Sequence, residues 1–253
     1  MTQYPDLPAI VAHRGNAAEF PENTLQALES AVDLGVSHVE FDVQLTADKV
    51  PVVFHDSDLN RVGDRAESVH DLTWAQLGET PVGEVKRFGR RFEFTYPPSL
   101  AQAVDAIAGW SGVTAFVEIK RSSIRKFGRE AVLRRVADVV KPALRRCVLI
   151  SFDLPSLKIL RAMIGARIGW VLSEYDDAAR AEAAALAPEF LFVNLERLPQ
   201  GLEPLWPGPW EWVVYEVRDL QTARECQARG ARFVETMTVR GLFAAYEESR
   251  RKW

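Results

Sequence analysis

The feature that most constrains the fold is a regular alternation of short apolar segments with longer amphipathic ones. From residue 99 onward, each apolar, β-branched segment is followed by a segment with helical periodicity. A period of two predicts a strand, and a period near 3.6 predicts a helix. Because two parallel strands need a long crossover connection, this alternation is typical of α/β proteins with a parallel sheet.

The alternation predicts eight parallel strands. They are expected at 9–12, from 37, and at 113–118, 147–152, 167–172, 190–194, 211–217 and 232–236. The apolar residues 51–55 are interpreted as the return arm of a hairpin above the barrel. The predicted fold is therefore an α/β (β/α)8 TIM barrel. A doubly wound open sheet is the alternative, although the first strand-helix turn has no Gly-rich phosphate loop.

Residues 57–98 interrupt the alternation, with one short helix expected at 73–77. We predict that this stretch is a small insertion at the C-terminal rim of the barrel, since long loops in compact domains often serve function. Its basic residues 86–91 are interpreted as a solvated loop. A chain of 253 residues, 47% hydrophobic, is predicted to form a single domain over 1–253.

Ionisable residues lie where the first two strands are predicted to end. His13 and Arg14 follow the first strand. Glu40 and Asp42 are two apart in the second strand, so both carboxylates lie on one face. Binding sites of parallel α/β proteins form at the C-terminal ends of the strands. These four side chains are therefore expected to share one site.

Three local features are predicted around this site. Asn23 is expected to cap the first helix. A turn at 46–49 is expected to close a hairpin that pairs Asp42 with His55 directly across the ladder. His38 is assigned to the opposite face of its strand from Glu40, with a structural role.

The third barrel strand ends in Glu118 and Lys120, which share a face. Together, Glu40, Asp42 and Glu118 offer oxygen ligands of the kind that Mg²⁺, Ca²⁺ or Mn²⁺ prefer, whereas zinc favours His or Cys. We therefore predict a divalent cation as cofactor. A bound cation would also relieve the repulsion between the three carboxylates.

Two histidines beside acidic groups suit proton transfer near neutral pH. His13 and His55 are the candidate acid and base, with no assignment of which is which. Arg14 is predicted to pair with an anionic group such as a phosphate through two hydrogen bonds, and Lys120 to offset the charge of that group as a point cation.

These motifs resemble those of the glycerophosphodiester phosphodiesterase family, of the phospholipase C-like phosphodiesterase superfamily. The segments that carry the resemblance are His13-Arg14-Gly15, Pro21-Glu22-Asn23-Thr24, Glu40-Phe41-Asp42, His55-Asp56 and Glu118-Ile119-Lys120. The resemblance implies metal-dependent hydrolysis of glycerophosphodiesters to sn-glycerol 3-phosphate and an alcohol, in lipid and glycerol metabolism. It also implies His13 and His55 as acid and base, with Glu40, Asp42 and Glu118 on the metal.

The chain departs from the family pattern in three places. A Thr-x-Asp-Gly turn, a Trp-Thr-Val-Asn strand end and a late Thr-Asp-x-Pro are replaced here by Thr46-Ala47-Asp48-Lys49, Tyr215-Glu216-Val217-Arg218 and Thr236-Met237-Thr238-Val239. The last two border the expected leaving-group side, so they affect the identity of the substrate rather than the cleavage machinery.

Three alternatives stand beside this hypothesis. One is a lysophospholipase D-like or sphingomyelinase D-like specificity within the same chemistry. Another is an aldolase-type barrel in which Lys120 forms a Schiff base. The third is a ligand-binding barrel without catalysis, which the presence of both histidines and all three acids disfavours.

Composition bounds the partners and the location. The N-terminal residues lack a signal-peptide pattern, and no apolar run reaches the length of a membrane span. We therefore expect a cytoplasmic protein without stable membrane insertion, acting on a small-molecule substrate. A net charge of -4 disfavours nucleic acid as a partner.

Overall fold

Eight parallel strands close into a barrel in the structure, a computed structural model that describes residues 6–251. The strands are β1 (Ala9–His13), β2 (His38–Leu45), β3 (Pro51–Val53), β4 (Thr114–Ile119), β5 (Cys147–Ser151), β6 (Arg167–Val171), β7 (Phe190–Asn194), β8 (Glu211–Tyr215) and β9 (Phe233–Thr236). All except β3 are parallel, and β1 pairs with both β2 and β9, which closes the barrel. The predicted (β/α)8 TIM barrel is confirmed.

Most of the helices lie between successive barrel strands and cover them, and three short ones lie within residues 57–98. They are α1 (Leu25–Asp33), α2 (Asn60–Gly63), α3 (Trp74–Leu77), α4 (Val85–Phe88), α5 (Leu100–Gly109), α6 (Arg121–Phe127), α7 (Arg129–Val140), α8 (Leu154–Ile164), α9 (Asp177–Leu186), α10 (Leu220–Ala228) and α11 (Val239–Arg251). Helix α6 was not predicted, because its sequence is mostly polar. Between residues 6 and 251, none of the helices is long and apolar enough to cross a bilayer.

The interior of the barrel changes character along its axis. Its floor is apolar and is built by inward-facing residues of seven strands, which are Val11, Phe116, Val148, Ile150, Val171, Phe190, Phe192, Val213 and Phe233. Two residues further along β1, β4 and β9, the next inward-facing positions are ionisable, at His13, Glu118 and Glu235. The apolar floor therefore supports a charged layer at the C-terminal mouth.

The prediction for His38 was wrong about its face. His38 and Glu40 are two residues apart on β2, so they point to the same side, into the barrel. The His38 ring lies 4.7 Å from the Phe233 ring and 5.7 Å from the Phe116 ring, measured between centroids. Burial, with Arg167 and Arg232 nearby, lowers the pKa of His38 to about 4. This histidine therefore belongs to the apolar floor.

The hairpin of β2 and β3 exists, but its register differs by one residue from the predicted one. Val43 pairs with Val53 and Leu45 with Pro51. Asp42 is therefore level with Phe54, whose N–H donates to the Asp42 carbonyl at 2.9 Å. The loop spans 46–50, an odd number of residues, and this moves the centre of the turn.

Helix α1 is capped by a different residue from the one predicted. Thr24 is the N-cap, and its hydroxyl accepts from the N–H of Ala27. Asn23 instead adopts a left-handed conformation with φ of 57°. That conformation directs its side chain to Asp42 on β2.

Residues 57–98 form a cover at the C-terminal rim, as predicted, with α2, α3 and α4 inside it. The cover contacts the loop that follows β1: Arg61 donates to Glu22 at 2.6 Å, and Arg87 donates to the Ala17 carbonyl at 2.6 Å. Glu84 accepts from the backbone N–H of Glu22 at 2.8 Å. The assignment of residues 1–253 to a single domain stays a prediction.

Gly15 makes the tight turn after β1 possible, and its replacement tests this. Its φ is 80°, and a Cβ there would lie 2.5 Å from the Ala27 carbonyl carbon and 2.7 Å from the Leu28 nitrogen. Gly112 has a φ of 73° with open space around it, so Gly112→Ala is a matched control for conformation alone. We expect Gly112→Ala to lower the free energy of unfolding by about 1–2 kcal/mol.

Gly15→Ala should lower the free energy of unfolding by about 1–3 kcal/mol more than the control, because the clash is with backbone that cannot move freely. Urea denaturation of both variants measures the difference. Equal losses would mean that the close approach to α1 is not the constraint at Gly15.

Candidate active site

The C-terminal mouth of the barrel contains a pocket. It is lined by His13, Arg14, Glu40, His55, Glu118, Lys120, Ile150, Phe152, Val171, Phe192, Tyr215, Glu216 and Glu235. Six of the predicted site residues are in this lining. The seventh, Asp42, lies directly behind it, in ion pairs with Arg14 and Lys120. The structure thus brings all seven together, while their chemical roles stay predictions.

Three predicted carboxylates meet at one point of the pocket. Glu40, Asp42 and Glu118 each place an oxygen within 4.8 Å of the others. The parallel register of β2 and β4 explains this, since Asp42 lies beside Glu118. Glu40 Oε1 is buried and has no hydrogen-bond partner within residues 6–251. Burial, together with Asp42 and Glu235, raises the pKa of Glu40 well above its ordinary value.

Two cationic side chains, Lys120 and Arg14, form ion pairs with these acids. Lys120 Nζ lies 2.9 Å from Glu118 and 3.1 Å from Asp42, and Arg14 Nε lies 3.1 Å from Asp42. Burial alone would raise the pKa of Asp42, but Lys120 and Arg14 outweigh it and hold that pKa below its usual range. The pKa of Glu118 is raised, because burial exceeds the effect of Lys120.

His13 lies among acids at the end of β1. Its Nε2 is 3.4 Å from Glu235 and 3.9 Å from Glu40, and its Nδ1 is 3.9 Å from Glu216. Burial and the nearby Arg14 lower the pKa of His13 to about 3. The imidazole is therefore neutral at pH 7 and keeps one nitrogen lone pair available.

His55 is held from one side by its neighbour. Its Nδ1 lies 2.6 Å from Asp56 Oδ1. Because a carboxylate only accepts hydrogen bonds, Nδ1 carries the proton of this contact. Nε2 is the ring nitrogen that Asp56 does not engage. Burial opposes ionisation of Asp56, but hydrogen bonds from His55 and Arg61 outweigh it and lower the pKa of Asp56 to about 2.

Glu22 joins the loop after β1 to the cover. Its buried carboxylate accepts from Arg14 at 2.9 Å and from Arg61 at 2.6 and 2.7 Å. Arg61 also donates to Asp56 at 2.8 Å. Burial alone would raise the pKa of Glu22, but Arg61 and Arg14 lower it. A continuous chain of ion pairs therefore runs from Arg14 to His55.

Glu235 and Arg61 also belong to this region, although the sequence did not predict them. Glu235 is a single acid at the C-terminal end of an apolar strand, the same signal that identified Glu118. In a closed barrel the last strand lies beside the first, and Glu235 is level with Val11, two residues before His13. Arg61 lies in an irregular segment, and nothing in its sequence context distinguishes it from a solvated arginine.

A parallel barrel with ionisable groups at its C-terminal mouth has the architecture of an enzyme. The model of the Glycerophosphoryl diester phosphodiesterase family matches residues 13–201. The chain belongs to this family, which confirms the predicted enzyme class, a phosphoric diester hydrolase.

Individual relatives agree with this membership. A glycerophosphodiester phosphodiesterase from Caldanaerobacter subterraneus is 28% identical over 84% of this chain and 88% of that protein. Glycerophosphodiester phosphodiesterase 1 of Bos taurus is 34% identical over 46% of this chain, and the match spans only 34% of that relative. A phosphodiesterase from Oleispira antarctica, solved in complex with the product sn-glycerol-3-phosphate, superposes with a TM-score of 0.81. That structure is 22% identical and covers 95% of this chain and 97% of its own, so it supports the fold.

Asn23 is predicted to hold Asp42 in place. Its side chain donates to Asp42 Oδ2 at 2.9 Å and accepts from the Asp42 N–H at 3.1 Å, and both residues are buried. Asn23→Gly keeps the left-handed backbone but removes both hydrogen bonds, so we expect the free energy of unfolding to fall by about 1–3 kcal/mol. Urea denaturation measures this.

Lys49→Gly is the matched control, because Lys49 has a similar φ of 61° and is exposed. Its free energy of unfolding should change by less than about 1 kcal/mol. If both variants lose the same amount, the backbone conformation rather than the contact with Asp42 explains the effect.

Proposed function

We propose that this pocket hydrolyses glycerophosphodiesters to sn-glycerol 3-phosphate and an alcohol, with the help of a divalent cation. The single observation that carries the proposal is the convergence of two imidazoles, three carboxylates and two cationic side chains at one pocket, with Asp42 directly behind its lining. The relatives from Caldanaerobacter subterraneus and Bos taurus are glycerophosphodiester phosphodiesterases, which favours the same substrate class.

The residues present fit a hard divalent cation. Glu40, Asp42 and Glu118 would hold it, because their oxygens lie close enough to share one ion, and Glu40 Oε1 has no other partner among the described residues. Oxygen-only ligation favours Mg²⁺, Ca²⁺ or Mn²⁺. When bound, such an ion supplies Lewis acidity toward a phosphate oxygen and neutralises negative charge.

Arg14 and Lys120 would position the phosphate. Both line the pocket, and both already form ion pairs with carboxylates, Arg14 with Glu22 and Asp42, and Lys120 with Glu118 and Asp42. Such anchoring restricts their side chains before the substrate arrives, which lowers the entropic cost of binding. The guanidinium can donate two hydrogen bonds to a phosphate, whereas the ammonium acts as a compact charge.

His13 and His55 would move the protons. Both line the same pocket, and cleavage requires one group to take a proton from the attacking oxygen and another to give one to the leaving oxygen. Asp56 holds the Nδ1 of His55, so the Nε2 of His55 is the nitrogen that can exchange a proton with the substrate. His13 is held by burial among acids rather than by a single hydrogen bond.

The environment of Lys120 disfavours a Schiff-base aldolase. Burial would lower the pKa of Lys120, but Asp42 and Glu118 outweigh burial and raise it above its ordinary value. A nucleophilic lysine needs a neutral amine at working pH. Lys120 is instead kept as an ammonium ion, which suits contact with a phosphate.

Removal of divalent cations should abolish hydrolysis of glycerophosphocholine. A chelator should reduce turnover to background, and Mg²⁺, Ca²⁺ or Mn²⁺ should restore it, because the three carboxylates need an ion to meet a phosphate without repulsion. Asp42→Asn should lower the affinity for the ion that restores activity. Turnover that is indifferent to chelation would exclude the carboxylate site from the mechanism.

Loss of either proposed proton-transfer group should lower kcat far more than it alters KM. We expect His13→Ala and His55→Ala each to reduce kcat by about 10²–10⁴-fold. His38→Ala is the matched control, because this histidine lies in the apolar floor of the same barrel. Thermal unfolding of each variant identifies any loss of fold, and a mild effect at His13 or His55 in a folded variant would remove that residue from the mechanism.

A further inference from the structure

We infer that the pocket contains a second cation site, formed by His13, Glu40 and Glu235, which takes a borderline metal such as Zn²⁺ and blocks the enzyme when it does. This site shares Glu40 with the cluster of Glu40, Asp42 and Glu118 but is otherwise distinct from it. Its three residues each offer a ligand atom within 4.8 Å of the others.

The distances suit tetrahedral zinc. Zn²⁺ binds imidazole nitrogen and carboxylate oxygen at about 2.0–2.2 Å, which separates two tetrahedral ligand atoms by about 3.4 Å. His13 Nε2 lies 3.4 Å from Glu235 Oε1 and 3.9 Å from Glu40 Oε2. The oxygens of Glu40 and Glu235 lie within 4.8 Å of each other, so Glu40 has to move closer to complete the site, and all three residues line the pocket.

The ligands are held in place before any ion arrives. His13, Glu40 and Glu235 are 8%, 1% and 3% exposed, and they come from the neighbouring strands β1, β2 and β9. Glu40 Oε1 is buried and unpartnered. The guanidinium of Arg14 forms its ion pairs with Glu22 and Asp42 rather than with Glu235.

The two clusters differ in ligand chemistry. Glu40, Asp42 and Glu118 offer only oxygen, which suits hard cations. The second site includes an imidazole, and nitrogen ligands shift the preference toward Zn²⁺. Binding there would occupy Nε2 of His13, one of the two nitrogens through which this imidazole could exchange a proton. The inhibitory consequence rests on the proposed function, whereas the binding itself does not.

Calorimetric titration of the Mg²⁺-loaded protein with Zn²⁺ tests the site directly. We expect one Zn²⁺ to bind per chain with Mg²⁺ in excess, and Glu235→Gln to weaken its affinity at least about tenfold. Glu216→Gln is the matched control, because Glu216 faces the other nitrogen of the same imidazole at 3.9 Å. It should change the affinity less than about twofold, since it removes no ligand.

Cobalt provides a readout that is independent of activity. Co²⁺ in the second cation site should give the intense visible absorption of a tetrahedral ion with a nitrogen ligand. The absorption should disappear in His13→Gln and persist in Glu216→Gln. Thermal unfolding confirms that each variant is folded before it is compared.

The outcomes separate this inference from the proposed function. Equal Zn²⁺ affinity in the wild type and in folded Glu235→Gln would overturn it, as would a Zn²⁺ affinity that depends on Asp42→Asn but not on Glu235→Gln. In activity assays with saturating Mg²⁺, Zn²⁺ should inhibit hydrolysis, and Glu235→Gln should need about tenfold more Zn²⁺. If Zn²⁺ binds as described but a chelator does not affect hydrolysis, the proposed function is overturned and the second cation site is retained.

Discussion

The structure depends on the burial of several carboxylates on top of an apolar barrel floor. Glu40, Asp42 and Glu235 are each at most 3% exposed, and a buried charge is costly unless it is paired. Lys120 and Arg14 pair with Asp42, which lowers its pKa, whereas burial and neighbouring acids raise the pKa of Glu40 and Glu235. The mouth of the barrel thus holds more carboxyl groups than its own cations pair with, and a positively charged ligand would favour their ionised form.

This imbalance follows from the geometry of a closed barrel. Successive inward-facing residues are two apart along each strand, so a strand that is apolar at one inward position can be ionisable at the next. Phe116 and Glu118 on β4, and Phe233 and Glu235 on β9, follow this pattern. Closure then brings β9 beside β1, and residues far apart in the sequence become ligands around one point.

The sequence was sufficient to predict the barrel, the cover and the residues that converge at the mouth, because strand periodicity and motif spacing are local signals. It was insufficient where tertiary contacts decide. Asparagine is a common N-cap residue, but the side chain of Asn23 forms two hydrogen bonds with Asp42 instead of capping the helix. The register of the hairpin depends on one residue of loop length. His38 was assigned to the wrong face, although its spacing of two residues from Glu40 is enough to place it in the barrel interior. Glu235 requires knowledge of which strand lies beside β1.

The ion-pair chain through Glu22 gives the cover a physical connection to the site. Arg61, in the cover, donates to Glu22 and to Asp56, and these acids contact Arg14 and His55 respectively. The side chain that would bind phosphate and the one that would transfer a proton are thus oriented by the same arginine. Arg61 is half exposed at the edge of the cover, so a movement of the cover would alter both groups together. A substitution of Arg61 would therefore alter the contacts that position Arg14 and His55 without changing any residue of the barrel.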